Sequence, residues 1–146
     1  MAQWTEPVYD RTQADVDYAK SQLSNKVNNV QHKGCFNVLD ILRIENNSRY
    51  LADVLKNLYY FNKVSTRTDW NSSSLPNVSD VTRIINNVKN IWESYYRPSD
   101  STDLPNTLIR FGQVNDIERN HLLIKEMIDD MSSSFRECGT FGAGEG

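Results

Sequence analysis

Residues 36–47 read Phe36-Asn37-Val38-Leu39-Asp40-Ile41-Leu42-Arg43-Ile44-Glu45-Asn46-Asn47. Residues 76–87 repeat this pattern as Pro76-Asn77-Val78-Ser79-Asp80-Val81-Thr82-Arg83-Ile84-Ile85-Asn86-Asn87. Residues 112–120 carry a looser third copy, Gly112-Gln113-Val114-Asn115-Asp116-Ile117-Glu118-Arg119-Asn120. Repeats of this size are typical of one supersecondary unit that is used several times, with its copies packed around a shared core. The recurrence therefore predicts a fold built from similar units.

Each copy of this motif has the features of a helix start. Asn37 and Asn77 stand at the expected N-cap position, and an aspartate follows each by three residues, which is the spacing of a capping box. These aspartates are Asp40 and Asp80, and the third copy places Asp116 at the same motif position. An aspartate in the first turn also faces the positive end of the helix dipole. We therefore interpret the motif as a helix-capping motif.

An arginine follows each aspartate by three residues, on the same face of the predicted helix: Arg43, Arg83 and Arg119. The recurring carboxylate and guanidinium groups have two interpretations. One is a site for a ligand or for catalysis, and the other is capping and packing. Capping and packing account for all three copies and for the offsets of 40 (80 − 40) and 36 (116 − 80) between the aspartates. We therefore favour the structural interpretation.

Apolar residues recur at alternating spacings of three and four along four stretches of the chain, as they do in amphipathic helices. These stretches run from Gln13 to Val30, from Val38 to Tyr60, from the second copy to Pro98, and from the third copy to Met131. The predicted fold class is therefore all-α, a bundle of about four helices with internal helical repeats. The bundle domain is expected at residues 13–135, with an extended N-terminal arm at 1–12 and an extended C-terminal tail at 136–146.

Mid-helix asparagines form two matching pairs, Asn46-Asn47 and Asn86-Asn87. Asparagine is a mediocre helix former, so its repeated use inside predicted helices calls for a reason. One member of each pair is expected either to hydrogen-bond across a helix interface or to face solvent.

Isolated aromatic residues supply four candidate interface residues, Trp4, Tyr9, Trp70 and Phe141. Trp4 and Trp70 are hard to bury from the predicted helices, so they are expected to dock onto a neighbouring protein. Further aromatic residues close two predicted helices, namely Tyr59, Tyr60 and Phe61, and Trp92, Tyr95 and Tyr96. These clusters are expected to fill the core, to form a protein interface, or to stack against sugars.

Composition narrows the classes of partner. The chain has 146 residues, about the length of one domain, and a formal net charge of −3 from 16 basic and 19 acidic residues. This balance lacks the basic footprint of nucleic-acid binding, so nucleic acid is not an expected partner. The N-terminus has no signal-peptide pattern, and no apolar run is long enough to span a bilayer. We therefore expect no membrane association and synthesis in a cytoplasm.

Sequence patterns that carry chemistry are missing from the chain. No nucleophile elbow, phosphate-binding loop, dinucleotide fingerprint or zinc-protease motif occurs. The two histidines, His32 and His121, lie far apart in sequence, and His121 is expected to be a packed side chain. The two cysteines are expected to be free thiols. We therefore predict no catalytic, cofactor-binding or metal-binding residue and no enzymatic activity.

Several short motifs together resemble a known group of proteins. They are Asp10-Arg11-Thr12-Gln13-Ala14-Asp15-Val16, Lys33-Gly34-Cys35-Phe36-Asn37 leading into residues 40–51, Thr68-Asp69-Trp70, Leu104-Pro105 and the closing Gly139-Thr140-Phe141. The chain resembles, over most of its length, small structural proteins encoded in phage and prophage tail regions of Firmicutes.

This resemblance implies a structural component or adaptor of a bacteriophage-like virion, in the tail tip, the baseplate or a fibre-attachment region. It implies protein–protein contacts with other virion structural proteins, and multiple copies or a homo-oligomer in a symmetric assembly. The protein would be made in the host bacterial cytoplasm and located in the virion. The alternative is a glycan- or cell-wall-binding module of a phage or of a bacterial surface apparatus, which would use the aromatic clusters.

Overall fold

The structure, a computed structural model, describes residues 3–24, 38–71, 76–108 and 110–143. Within these residues the chain is all-α, with four helices: α1 (Gln13–Ser24), α2 (Val38–Asn57), α3 (Val78–Ser94) and α4 (Phe111–Ala143). The predicted fold class and helix number are therefore confirmed. None of the helices in this part of the chain combines the length and the apolar character that crossing a membrane requires.

Helices α2, α3 and α4 pack against one another, and side-chain contacts near their two ends give their relative direction. The rings of Tyr60 and Tyr95, at the ends of α2 and α3, have centroids 4.8 Å apart. The Tyr95 hydroxyl also lies 3.1 Å from the Met131 sulfur, in the second half of α4. Near the helix starts, Arg83 of α3 forms an ion pair with Glu45 of α2. Because like ends meet like ends, the three helices are parallel.

Parallel helices need long return connections, since a helix of the length of α2 spans about 30 Å. Residues 58–77 and 95–110 supply these returns, and their described residues form no helix. Residues 3–12, which we call the arm, have the same irregular backbone before α1. The bundle therefore consists of helices with non-helical segments packed along them.

The capping box predicted for α3 is confirmed. The Asn77 side-chain oxygen accepts a hydrogen bond from the Asp80 amide at 2.9 Å, and the Asp80 carboxylate accepts one from the Asn77 amide at 3.0 Å. The corresponding prediction for Asn37 lies outside the described residues, although Asp40 is in the first turn of α2.

The predicted cap of α4 is wrong. The helix begins at Phe111, so Asp116 lies beyond the first turn, which contains no acidic residue. Gln113 takes the capping-box position instead, because its side-chain oxygen accepts a hydrogen bond from the Arg110 amide at 3.0 Å. The motif copies therefore correspond at Asp80 and Gln113, an offset of 33 (113 − 80) and not 36. The sequence pattern does not distinguish the two offsets, because a shift of three residues is nearly one helical turn and keeps apolar residues on almost the same face.

The corrected register aligns the cores of the three parallel helices. Five sets of equivalent positions, spaced alternately by three and four residues, are buried with the single exception of the partly buried Val81. They are Ile41, Val81 and Val114; Ile44, Ile84 and Ile117; Ser48, Val88 and His121; Leu51, Ile91 and Ile124; and Leu55, Tyr95 and Ile128. Each buried large aliphatic side chain contributes about 1.5–3 kcal/mol. These stripes supply most of the stability of the bundle.

The chain ends differ from the prediction. The C-terminal segment from residue 136 was expected to be extended, but α4 continues to Ala143. Residues 132–134 are serines, which are mediocre helix formers without being helix breakers, and no proline interrupts the segment. At the other end, α1 is described to Ser24, and the predicted residues 25–30 of that helix lie outside the described residues.

The capping box of α3 makes a prediction about stability. Replacing Asn77 by alanine removes the acceptor for the Asp80 amide, so we expect the free energy of unfolding to fall by about 0.5–2 kcal/mol. Asn86→Ala is the matched control, because Asn86 is exposed on the same helix and its replacement should be neutral or slightly stabilising. Urea unfolding followed by circular dichroism measures both. Equal stability of the Asn77→Ala protein and the wild type would contradict the capping role.

Candidate functional site

Buried asparagines at equivalent positions of α2, α3 and α4 hold the segments that precede the helices. Each side-chain oxygen accepts a hydrogen bond from the backbone N–H of one residue, and each side-chain nitrogen donates to the carbonyl of that same residue. The distances are 3.0 and 2.8 Å for Asn47 with Thr5, 3.1 and 2.8 Å for Asn87 with Ser65, and 3.2 and 3.2 Å for Asn120 with Thr102. We call Asn47, Asn87 and Asn120 the clamp asparagines.

The clamp explains the asparagine pairs in the sequence. One member of each pair, Asn47 and Asn87, is buried and hydrogen-bonded, but not across a helix interface as one of the two interpretations expected. Its partner is the main chain of a non-helical segment and not a neighbouring helix. The other members differ, since Asn86 is exposed, whereas Asn46 is half-buried and donates to the carbonyl of Gln3 in the arm.

The motif arginines pair with glutamates on neighbouring helices. Arg43 and Arg83 stand four residues before their clamp asparagines, and Glu45 and Glu118 stand two residues before theirs. Arg83 of α3 contacts Glu45 of α2, with Nη2 and Oε2 2.9 Å apart. Arg43 of α2 contacts Glu118 of α4, with Nε and Oε1 2.5 Å apart. The same pair of positions is therefore used at two of the three helix interfaces.

The predicted pairs within the motif are also present for two of its copies. Asp40 Oδ1 lies 2.6 Å from Arg43 Nη2, and Asp80 Oδ1 lies 3.5 Å from Arg83 Nη2. Each arginine therefore joins an aspartate on its own helix to a glutamate on the next. The motif is part of the packing between helices, in addition to its role at helix starts.

The interface between α4 and α3 lacks both the arginine and the glutamate that form the ion pairs at the other two interfaces. The register places Asp116 where the other helices have arginine, and Ile85 where they have glutamate. Asp116 instead accepts a hydrogen bond from the Thr102 side chain, and burial raises its pKa against the opposing effects of Arg119 and of that hydrogen bond. Arg119 is exposed.

A second arginine completes a buried cluster of four charges. Arg11 of the arm places its Nη2 atom 3.1 Å from Asp40 Oδ1 and 2.8 Å from Glu118 Oε2. Arg43 contacts the same two carboxylates. The Arg11 and Glu118 side chains are 2% and 0% exposed and that of Arg43 is 10% exposed, so the cluster is largely shielded from solvent, and its formal charges cancel. Burial alone would lower the pKa of Arg43, but hydrogen bonds and charge from Glu118 and Asp40 raise it.

Two tryptophans predicted as interface residues lie within the fold. Trp70 is buried, and its indole N–H donates to Glu45 Oε2 at 2.7 Å, while the Arg67 guanidinium lies 4.0 Å from the ring centroid. Trp4 is half-buried, and its ring centroid is 5.7 Å from that of Tyr50. The prediction for Trp70 is therefore wrong, because the return connection folds back along α2 and covers a ring that the helices alone would leave exposed.

The other two candidate interface residues are not brought together. Tyr9 is exposed in the arm, as an interface residue would be. The side chain of Phe141 lies outside the described residues, and its backbone belongs to α4.

Large apolar side chains are exposed where α2 and α3 end. They are Leu58, Tyr59, Phe61 and Tyr96, which we call the aromatic end. Beneath them the rings of Tyr60 and Tyr95 stack edge-on, and Tyr95 also contacts Tyr96, with centroids 4.8 Å apart. The aromatic clusters noted in the sequence therefore divide into two parts, a covered layer that joins the helices and a layer that faces solvent.

Tyr59 has an unusual backbone for an exposed residue. Its φ is 67°, in the left-handed region, and its side chain is 83% exposed. The Tyr60 amide donates to the Leu55 carbonyl at 2.8 Å and the Tyr59 amide to the Lys56 carbonyl at 3.0 Å, which is the Schellman pattern that usually has glycine at this position. A non-glycine residue costs about 1–2 kcal/mol there. A large exposed side chain at a strained position indicates a role outside the fold.

Ser48 and His121 form the polar layer in the middle of the core. The Ser48 hydroxyl lies 2.9 Å from His121 Nε2, a distance suited to a nucleophile and its base. Both residues are fully buried, however, and among the described residues Nδ1 of His121 has no hydrogen-bond partner. Burial lowers the pKa of His121 to about 4, so the imidazole is neutral at pH 7. His121 is the packed side chain that the sequence predicted.

Comparisons with known proteins identify no relative. No protein-family model matches the chain, and neither the curated proteins nor the solved structures include a match. In the part of the chain that the structure describes, no three histidine, cysteine, aspartate or glutamate side chains are grouped in a way that could hold a metal ion. The site residues are therefore interpreted from their own geometry.

The missing ion pair between α4 and α3 gives a test of the register. Asp116→Arg with Ile85→Glu places an arginine and a glutamate at the positions that pair at the other two interfaces. We expect each single substitution to destabilise the protein and the double variant to recover part of the loss, with a favourable coupling of about 1 kcal/mol or more. A double-mutant cycle from urea unfolding measures this coupling. Strictly additive effects would show that the two positions do not face each other.

Burial of neutral His121 predicts a specific pH dependence. The unfolded chain takes up a proton at a pKa of about 6.5, whereas the folded protein does so only at about 4. The contribution to stability is therefore complete above about pH 6.5 and is lost as the pH falls to about 4, by about 3 kcal/mol in total.

The matched variant is His121→Gln, which keeps a polar group near Ser48 and does not titrate. Unfolding free energies of both proteins are measured from about pH 7 to about pH 4.5. The wild type should lose more stability than the variant over this range. Parallel pH profiles would contradict the lowered pKa.

Proposed function

We propose that this chain is a structural component or adaptor of a bacteriophage-like particle, in its tail or baseplate region, and that it acts through protein–protein contacts without catalysis. The resemblance to small tail-region proteins of Firmicutes supports the placement of this chain in such a particle. Its partners are then other virion structural proteins, and several copies stand in a symmetric assembly. The virion is then its location.

The exposure of the aromatic end is the main observation in support of this proposal. Tyr59, Phe61 and Tyr96 are 83%, 73% and 60% exposed, and they stand at one end of a bundle whose repeated polar residues bond to one another or to the main chain. Exposed aromatic residues at a single site are typical of a binding surface. Because Tyr59 is held in a strained conformation, its side chain is retained at a cost to the fold.

The buried polar residues support an internal role for the motif. The carboxylates of Asp40, Glu45 and Glu118 accept hydrogen bonds from arginines or backbone amides of their own chain. The nearest approach to a catalytic pair, Ser48 with His121, is enclosed in the core. These groups stabilise the bundle, which leaves the ends and surfaces to make contacts.

The exposed rings also support the second candidate, a glycan- or cell-wall-binding module. Tyrosine rings that face solvent present flat apolar surfaces on which sugars stack. The two candidate functions differ in the molecule that would bind to the aromatic end. A structural protein of the particle covers the aromatic end permanently, whereas a glycan binds to the free protein in dilute solution.

Tyr59→Gly separates stability from function. Glycine relieves the left-handed strain, so we expect the free energy of unfolding to rise by about 0.5–1 kcal/mol. At the same time, incorporation of the protein into particles should fall several-fold, because a ring of the proposed contact is removed. Incorporation is measured by immunoblotting purified particles from cells that express the variant in place of the wild type.

The matched control is Tyr18→Ala, which removes an exposed tyrosine from α1 and should leave incorporation unchanged. Normal incorporation of a stabilised Tyr59→Gly protein would contradict the proposed contact at the aromatic end. Titration of the wild type with cell-wall oligosaccharides, followed by tyrosine fluorescence, tests the alternative. Saturable binding that Tyr59→Gly abolishes would favour the glycan-binding module.

A further inference from the structure

The arm lies in a groove between α2 and α4, which we call the arm groove. Clamp residue Asn47 of α2 bonds to the N–H and the carbonyl of Thr5, as described above. Glu118 of α4 accepts a hydrogen bond from the Val8 amide at 3.1 Å. Asn115 of α4 accepts from the Arg11 amide at 3.3 Å and donates to the Arg11 carbonyl at 3.0 Å. Three points of the arm, three residues apart, are therefore held through the main chain.

Arg11 is the side chain of the arm that forms ion pairs with two buried carboxylates of the groove. Without it, the formal charges of the cluster no longer cancel, because the two carboxylates Asp40 and Glu118 then share the guanidinium of Arg43. A buried unpaired charge is strongly unfavourable. The groove therefore needs a segment that brings an arginine, and it places that arginine three residues after the amide bound by Glu118.

The contacts with α2 and α4 hold the arm in place, and helix α1, which follows the arm, adds little packing to them. Ala19 is the single buried residue among the described side chains of α1. The groove residues all belong to α2 and α4, so the site is complete whichever chain supplies the arm. The contacts of Asn47 with Thr5 and of Asn115 with Arg11 use backbone atoms of the arm, which every extended segment possesses.

We propose that the arm groove is a receptor for an extended, arginine-bearing segment, and that the arm of one copy can occupy the groove of a second copy. Exchange of an identical element between copies keeps every contact of the closed chain, so its cost is low. This proposal deepens the proposed structural role and rests on it for the choice of a second copy as partner. It makes the arm the exchangeable connector of the assembly.

Two full-length variants test the exchange by complementation. The arm variant carries Arg11→Ala, so its groove is intact but its own arm binds poorly. The groove variant carries Asn47→Ala and Asn115→Ala, so its arm is intact but its own groove is impaired. In the wild type the tethered arm has an effective concentration in the millimolar range, so the protein stays monomeric in dilute solution. A mixture of the two variants should instead form a species of twice the monomer mass in native mass spectrometry.

The control is a groove variant that also carries Arg11→Ala, and its mixture with the arm variant should remain monomeric. Circular dichroism checks that each protein is folded. If Arg11→Ala unfolds the chain, Thr5→Pro replaces it as the arm variant, because it removes the N–H that Asn47 binds and leaves no buried charge unpaired. Monomers alone in the mixture of folded variants would overturn the proposal.

A peptide gives a second measurement. A fluorescent peptide of residues 1–12 should bind the full-length arm variant saturably in fluorescence anisotropy, and the same peptide with Arg11→Ala should bind more than about 30-fold more weakly. Equal binding of the two peptides, or none, would contradict an arginine-specific receptor. Failure here with normal particle incorporation of the wild type removes the exchange and leaves the proposed function intact.

Discussion

The fold depends on satisfying the backbone of segments that belong to no helix. Three parallel helices require the chain to return along the bundle twice, after α2 and after α3. A return segment packed on the helices, like the arm, has amide and carbonyl groups without partners of its own. The clamp asparagines Asn47, Asn87 and Asn120 meet this need, since one side-chain amide bonds to both backbone groups of one residue. An asparagine that weakens its own helix slightly thereby fixes the segment beside it.

The same register that positions the clamps organises the electrostatics. Arginine and glutamate at fixed distances before the clamp asparagines join α3 to α2 and α2 to α4, while the α4–α3 interface has Asp116 and Ile85 at these two positions and lacks this ion pair. The internal repeat is therefore a repeat of packing relations between helices. Its polar groups bond to one another or to the main chain inside the bundle, whereas the large apolar side chains of the aromatic end face solvent.

The sequence predicted those features that depend on neighbouring residues. The apolar spacing and the capping box at Asn77 and Asp80 involve residues within a turn or two of one another, and both are confirmed. The assignment of Asp116 to a helix start failed because helical faces nearly coincide at a shift of three residues. The prediction for Trp70 failed because its burial depends on a return connection whose path the sequence does not show. The prediction of an extended C-terminal segment failed because weak apolar periodicity does not exclude a helix, and α4 continues to Ala143.

By itself, the sequence determined an all-α chain of about four helices with repeated starts, because local hydrogen bonds and apolar periodicity are encoded within short windows. Only the tertiary structure decided that the helices are parallel, that the mid-helix asparagines bind backbone, and that Arg11 completes a buried charge cluster with Asp40 and Glu118. These contacts join residues tens of positions apart, and many chain paths are compatible with the same local pattern. The path is selected by packing and by the need to pair every buried charge and backbone group, which are properties of the whole molecule.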